Sequence, residues 1–515
     1  MPPPAERVGH VRRNLVANVA NSAWTTLLGV AFFPVYIRYL GVEAYGLIGA
    51  FTTIQTFAAL IDSGMSTTVN REVARWSSRR DGAEPMRDLV RTLEVVYWTL
   101  SVVVAIGFAV LSPTLARHWV KPIELTADEV SSALTLMGVN FALLWPSTVY
   151  LGGLMGLQRQ VRMNVAMAVI GGVRVFGAVA VLAFVSATLR AFFMWQIVVS
   201  ALQTAVVGFI LWRSLPASTR APAFSMERVR AVWGFTTAVA GITLLGVALQ
   251  QADKLILSNL LTLTAFGYYT FAAAVAMTLA RIVGPVHATF FPRFAELAGR
   301  GDHAQLTDVY HSACQLVSVA VLPAAVILAT FAPQILILWT RDPELVRNTH
   351  RLVTVLVIGN ALHALMYLPY ALQLAHGWTR LAFATNLVSV ILLMPATIFA
   401  ATKWGPTGAA VVWVMLTCGY VFVQVPLMHR RLLRGELAAW YINDVGKPLI
   451  ACALTTGVGW WLMPRAPGQL ASLLALASVS AATLLAAGLS VPWMRAWCAG
   501  RSGFLTRAGY SLNQP

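Results

Sequence analysis

Three cationic side chains lie inside long apolar runs: Arg174 in IGGVRVFGAV, Arg281 in MTLARIVGPV and Lys254, beside Asp253, in QQADKLILSN. A cation at the centre of an apolar span costs about 2.5–3.5 kcal/mol on insertion scales, so each needs a compensating environment. Two environments qualify. One is an ion pair with Asp62, Glu94 or Asp253; the other is a hydrated cavity in which the cation holds an anion. Lys254 has a third choice, because it sits near the end of its run and can extend its ammonium to the interface. Asp62, in LIDSGM, is the acid placed for pairing or for ion or proton coupling, and a packing role ahead of Gly64 stands beside these. Asn14, Asn18, Asn21 and Thr25 recur at helical spacing on one face, and Gln250 with Gln251 extends a second polar surface. Either surface suits a hydrated cavity or hydrogen bonds between helices. His287 and His363 read as satisfied structural histidines. There is no DxD pair, and the four cysteines form neither a CxxC nor a Cys/His cluster, so no catalytic group, metal or cofactor is expected.

The elements that must position these residues are membrane helices. Of 515 residues 58% are hydrophobic and 11% charged, with mean hydropathy +0.70. A soluble domain carries roughly 25% charged residues. The net charge of +17 does not point to nucleic acid, because the Lys and Arg fall in short gaps between apolar runs. A span needs about 20 mostly apolar residues, and this ruler gives about fourteen transmembrane helices in an all-α polytopic membrane protein. In order along the chain, the second is expected over 44–68, the eleventh over 381–402, the twelfth over 407–428 and the thirteenth over 446–463; Arg174 falls in the fifth (163–187), Lys254 in the seventh (230–257) and Arg281 in the eighth (265–291). With the N-terminus inside, 25 of the 37 Lys and Arg lie in inner segments, 9 in outer ones and 3 within spans. That bias places both termini in the cytoplasm. The outer connections are too short to fold a soluble catalytic domain.

Polar residues 214–225 hold Pro216 and Pro222 near mid-chain and read as a linker. The expected division is an N-terminal lobe over 1–215, a cytoplasmic linker over 216–229, a second six-helix lobe over 230–435, and two further helices with a cytoplasmic tail over 436–515. A weak internal repeat supports it. IRYLGVEAYG aligns with SNLLTLTAFG so that Leu40 falls on Leu261, Ala44 on Ala265, Tyr45 on Phe266 and Gly46 on Gly267, a shift of 221. Two lobes related by an axis along the membrane normal follow from such a repeat.

The segments FPVYIRYLGVEAYGLIGAF (Phe33–Phe51) and LIDSGMSTTVNREVAR (Leu60–Arg75) resemble the opening of bacterial polysaccharide transporters, the O-antigen and exopolysaccharide repeat-unit flippases of the multidrug/oligosaccharidyl-lipid/polysaccharide exporter superfamily. LGGLMGLQRQVRMN (Leu151–Asn164) and DKLILSNLLTLTAFGYYTFA (Asp253–Ala272) extend the likeness over most of residues 10–435. The resemblance implies two bundles around a central cavity and alternating access to a lipid-linked glycan in the bacterial cytoplasmic membrane. It also implies membrane lipids and polysaccharide polymerase or export machinery as partners. Fourteen spans rather than twelve are shared with lipid II flippases of the superfamily. The implied substrate has a polyprenyl tail, a diphosphate and a sugar head. Arg174, Arg281 and Lys254 would then meet phosphate, for which arginine's planar fork is the best match, and Asn14, Asn18, Asn21 and Gln250 would meet sugar hydroxyls. Three rival readings stand beside this one: a glycosyltransferase or polymerase on the same carrier, a cation-coupled drug exporter, and a membrane scaffold.

Overall fold

The structure is a computed structural model that describes residues 20–227, 230, 251–463, 468–492 and 494, apart from 22, 26, 30, 78–81 and 252. Among the described residues it is all helix with short turns and no strand, as a chain in hydrocarbon must be to satisfy its backbone. Ten stretches there are long and apolar enough to cross a membrane. One of them, Phe383–Leu432, runs through the eleventh and twelfth expected spans. Gly405, at φ 61 and ψ −146, breaks its helix between them. The second expected span lies on the helix Val42–Ser77 and the thirteenth on Lys447–Leu462, which has 16 residues. Most of the seventh lies outside the described residues.

The chain forms two compact units, Met1–Thr270 and Phe271–Pro515. Residues 216–225 are tied to the helix Ala83–His118: Arg87 Nη1 donates to the Pro216 carbonyl at 3.2 Å, Asp88 Oδ1 accepts from the Ala223 amide at 2.9 Å, and Thr92 Oγ1 accepts from the Ser225 amide at 3.0 Å. The proline-rich composition of this link signals a turn, but these three side chains convert the turn into a strap on the first unit.

Within the first unit, Gly41 at φ 85 makes the tight turn between Ala23–Leu40 and Val42–Ser77, a conformation glycine adopts without a Cβ penalty. Glu43, in the next turn of helix, is 3% exposed and accepts from the amides of Ile123, Glu124 and Leu125 at 2.6, 2.7 and 3.4 Å. It fixes the loop that leads into the helix Ala127–Leu144, whose own start is a reciprocal Thr126–Glu129 capping box. The same loop reaches the other copy of the repeat, where the Leu263 amide donates to the Lys121 carbonyl at 2.9 Å. There Val42–Ser77 crosses Leu263–Ala276 at backbone contact. A Cβ at Gly46 would strike the Leu263 carbonyl, and a Cβ at Gly267 would strike the Val42 carbonyl. Since the repeat carries Val42 onto Leu263 and Gly46 onto Gly267, the two contacts are one contact seen from both sides.

In the second unit, His303–Thr330 is the central helix. It packs against Thr278–Arg300, Pro343–Leu365, Lys447–Leu462 and Gln469–Ser490.

Candidate functional site

Arg174 lies midway along the helix Gln160–Phe184, half-buried in the first unit. Its guanidinium is held by the neighbouring helix Leu189–Ser214. Nη1 donates to Gln196 Oε1 at 2.8 Å and to Ser200 Oγ at 3.2 Å, and Nη2 donates to Gln203 Oε1 at 3.0 Å. Gln196, Ser200 and Gln203 stand four and three residues apart, so they form one stripe along that helix. All three are buried. Ser200 in turn donates to Asn140 Oδ1 at 2.6 Å, and Thr204 donates to the Leu143 carbonyl at 2.6 Å, which locks the stripe to a third helix. Trp195 Nε1 donates to the Arg174 carbonyl at 3.1 Å. The indole lies where a Cβ on residue 177 would be, so Gly177 makes the room for it.

Among the described residues no carboxylate takes part. Of the acids that could have paired with Arg174, Glu94 bonds Arg91 at 2.8 Å and the Tyr150 hydroxyl at 2.6 Å. Asp253 accepts from the Tyr269 hydroxyl at 2.6 Å and lies 3.6 Å from Lys254. Asp62 is on the helix Val42–Ser77, and its side chain lies outside the described residues. Amide and hydroxyl oxygens therefore solvate Arg174 without cancelling its charge. Three of its five N–H groups are committed. Nε–H and one Nη2–H have no partner among the described residues, which leaves a cation with donors to spare.

Arg281, on Thr278–Arg300, is exposed and has neither a hydrogen bond nor an ion pair among the described residues. Lys254 is mostly covered and shares its charge with Asp253. Asn21 Nδ2 donates to Asn164 Oδ1 at 3.2 Å, joining the first helix to Gln160–Phe184 ten residues before Arg174. Asn14, Asn18 and Gln250 lie outside the described residues. His363 packs among Tyr367, Trp413 and Tyr420. His287 stacks on Phe291. The structure thus gathers Arg174 with Gln196, Ser200, Gln203 and Asn140, four residues not singled out from sequence. Their signal was present: a polar triplet at helical spacing inside an otherwise apolar run.

A family model described as polysaccharide biosynthesis protein matches residues 35–341, more than half of the sequence. The chain belongs to that family. A curated Shigella flexneri protein named "Putative O-antigen transporter" is 20% identical over 401 residues, covering 78% of this chain and 93% of its own. In fold the chain is similar to the lipid II flippase MurJ in an inward closed conformation, with TM-score 0.71 at 10% identity over 92% of this chain and 97% of that one. It is also similar to a multidrug resistance MATE transporter of the MOP superfamily in its inward-facing conformation, with TM-score 0.63 at 14% identity over 84% and 96%. The sequence resemblance to polysaccharide transporters of this superfamily is therefore upheld, and so is the all-α polytopic membrane fold.

Proposed function

We propose that this protein is a flippase. It carries a polyprenyl-diphosphate-linked oligosaccharide from the cytoplasmic to the outer leaflet of the bacterial inner membrane, by alternating access, for O-antigen, exopolysaccharide or capsule assembly. The observation that carries the reading is Arg174: a cation midway along an apolar helix whose partners among the described residues are neutral oxygens, none of them an acid. A helix bundle has no packing use for an uncancelled charge that costs about 2.5–3.5 kcal/mol to insert. A diphosphate crossing the hydrocarbon needs one. Arg281, with no partner among the described residues, supplies a second, since a bare cation facing lipid would bear the whole insertion cost whereas one facing water does not. Lys254, already beside Asp253, ranks behind both. Asn14, Asn18, Asn21 and Gln250 offer hydrogen bonds to sugar hydroxyls, and Asp62 is the acid for ion or proton coupling. The lobes over 1–215 and 230–435, both termini cytoplasmic, and polymerase or export machinery as partners belong to the same reading. It involves no bond making or breaking.

The family membership and the Shigella relative support a polysaccharide substrate over a drug; the MurJ-like fold keeps lipid II as the second candidate. The test is the purified protein in vesicles loaded with labelled lipid-linked oligosaccharide. Movement of the label between leaflets with an unaltered glycan is the expected result. Preference for lipid II, efflux of organic cations, or an elongated glycan would each replace the proposal with a named alternative.

A further inference from the structure

In the second unit a polar cluster joins the helix His303–Thr330 to the stretch that leads into the last two helices. His311 presents both ring nitrogens to carboxylates: Nδ1 is 2.5 Å from Asp444 Oδ2, and Nε2 is 3.2 Å from Glu436 Oε2. Asp444 is fully buried, and its other oxygen accepts from Gln315 Nε2 at 2.9 Å. A neutral imidazole has one N–H and one lone pair. It can donate to one carboxylate, but it then turns the lone pair on the other. Making both bonds at once requires one more proton, on the ring or on a carboxyl. Burial, and after it the neighbouring Glu436 charge, raise the proton affinity of the Asp444 carboxyl above its usual range, which helps the cluster keep that proton.

We propose that His311, Asp444 and Glu436 form a proton-operated clamp: with its shared proton it holds the stretch Trp440–Gly446 and the start of Lys447–Leu462 on the central helix, and without it that end is released. The inference does not depend on what the protein transports.

The described groups around these three include one more imidazole, that of His429, within electrostatic reach of His311 and Glu436. On the central helix, Tyr310 and Cys314 are neighbours of the cluster, and Tyr310 faces His429 of the helix Val425–Leu432 across 3.4 Å. On Thr278–Arg300, Arg293 and Arg300 both pair with Glu296. On Pro343–Leu365, His363 packs against Trp413 and Tyr420; on Tyr367–Ala375, Tyr367 stands against that histidine. Lys447 makes no bond to the cluster, and Gln469–Ser490 carries no ionisable residue. At the far end of the central helix the docking is apolar: Ile327 and Phe331 pack with Leu476 and Val479. Among the described residues of that cluster nothing titrates, so the clamp governs one end only.

The sign follows from proton counting. The closed form binds a proton that the open form, with an ordinary histidine of pKa ~6.5, has released above that pH. The clamp is therefore firm in acid and weakens as pH rises, by up to about tenfold per pH unit. Hydrogen exchange on the full chain in detergent, from about pH 5 to about pH 9, reads this as protection factors. In the wild type, protection over 440–450 should fall across that range while protection around Ile327 and Leu476 stays level. H311Q should be weakly protected at every pH. D444N should stay protected at high pH, because a neutral His311 can accept from the new amide at Nδ1 and donate from Nε2 to Glu436. A flat wild-type profile, or a D444N profile with the wild-type slope, overturns the proposal. D444N decides the matter even where H311Q does not fold.

Discussion

Arg174 differs from the other two membrane-depth cations in what surrounds it, and that difference sets the expected order of their variants. Arg174→Ala, at unchanged abundance in the membrane, should reduce leaflet-to-leaflet movement of labelled substrate about tenfold or more, the worth of one charge-assisted hydrogen bond of roughly 1.5–3 kcal/mol. Arg174→Lys should recover part of it, since the charge remains but the planar fork does not. Full activity in the alanine variant would remove the site. Arg281→Ala should also impair transport, whereas Lys254→Ala should impair stability first, because it strands Asp253 beside Tyr269 with no counter-charge. Melting temperature against transport rate, measured on the same three preparations, separates the two effects. Arg174 and Arg281 were visible in the sequence as charges out of place. The partners of Arg174 were legible only as a polar triplet at helical spacing, Gln196, Ser200 and Gln203; that their helix lies beside that charge was not.

At the scale of elements, the reciprocal crossing of Val42–Ser77 and Leu263–Ala276 makes a symmetric prediction. Gly46→Val and Gly267→Val each push a branched side chain against a backbone carbonyl that cannot move aside, an overpacking cost of typically 1–3 kcal/mol. By the symmetry of the contact the two variants should lower the melting temperature in detergent by similar amounts, and the double variant by less than their sum, because both act on one crossing. Strictly additive losses, or a loss in one variant alone, would show the crossing to be unequal. The repeat that aligned Gly46 with Gly267 was legible from eight aligned side chains and glycines. Its consequence, that the two copies touch each other at these very glycines, was not, because spacing in a sequence carries no information on which helices are neighbours. The linker fared differently: Pro216 and Pro222 announced a break in helix, while Arg87, Asp88 and Thr92, more than 120 residues earlier, hold that break against the first unit.

For the molecule as a whole, the distribution of Lys and Arg predicts the topology directly. Reporter fusions active only in the cytoplasm should be active at both the N- and C-terminus and silent when inserted after Val120 or Arg341. An active reporter at either of those loops would invert the orientation, and with it the direction of the proposed transport. The membrane fold itself was settled by composition, since a chain with 58% hydrophobic and 11% charged residues can hide its apolar surface only in lipid. Helices were then obligatory, because nothing else satisfies the backbone there. Where each buried charge finds its partner was decided by the tertiary structure alone. Such partners come from other segments of the chain, helix or loop: Gln203 for Arg174, Ile123 and Glu124 for Glu43, Asp444 for His311. Hydrophobic burial is a property of each segment and can be read one residue after another, but a hydrogen bond between two segments exists only once the bundle has been assembled.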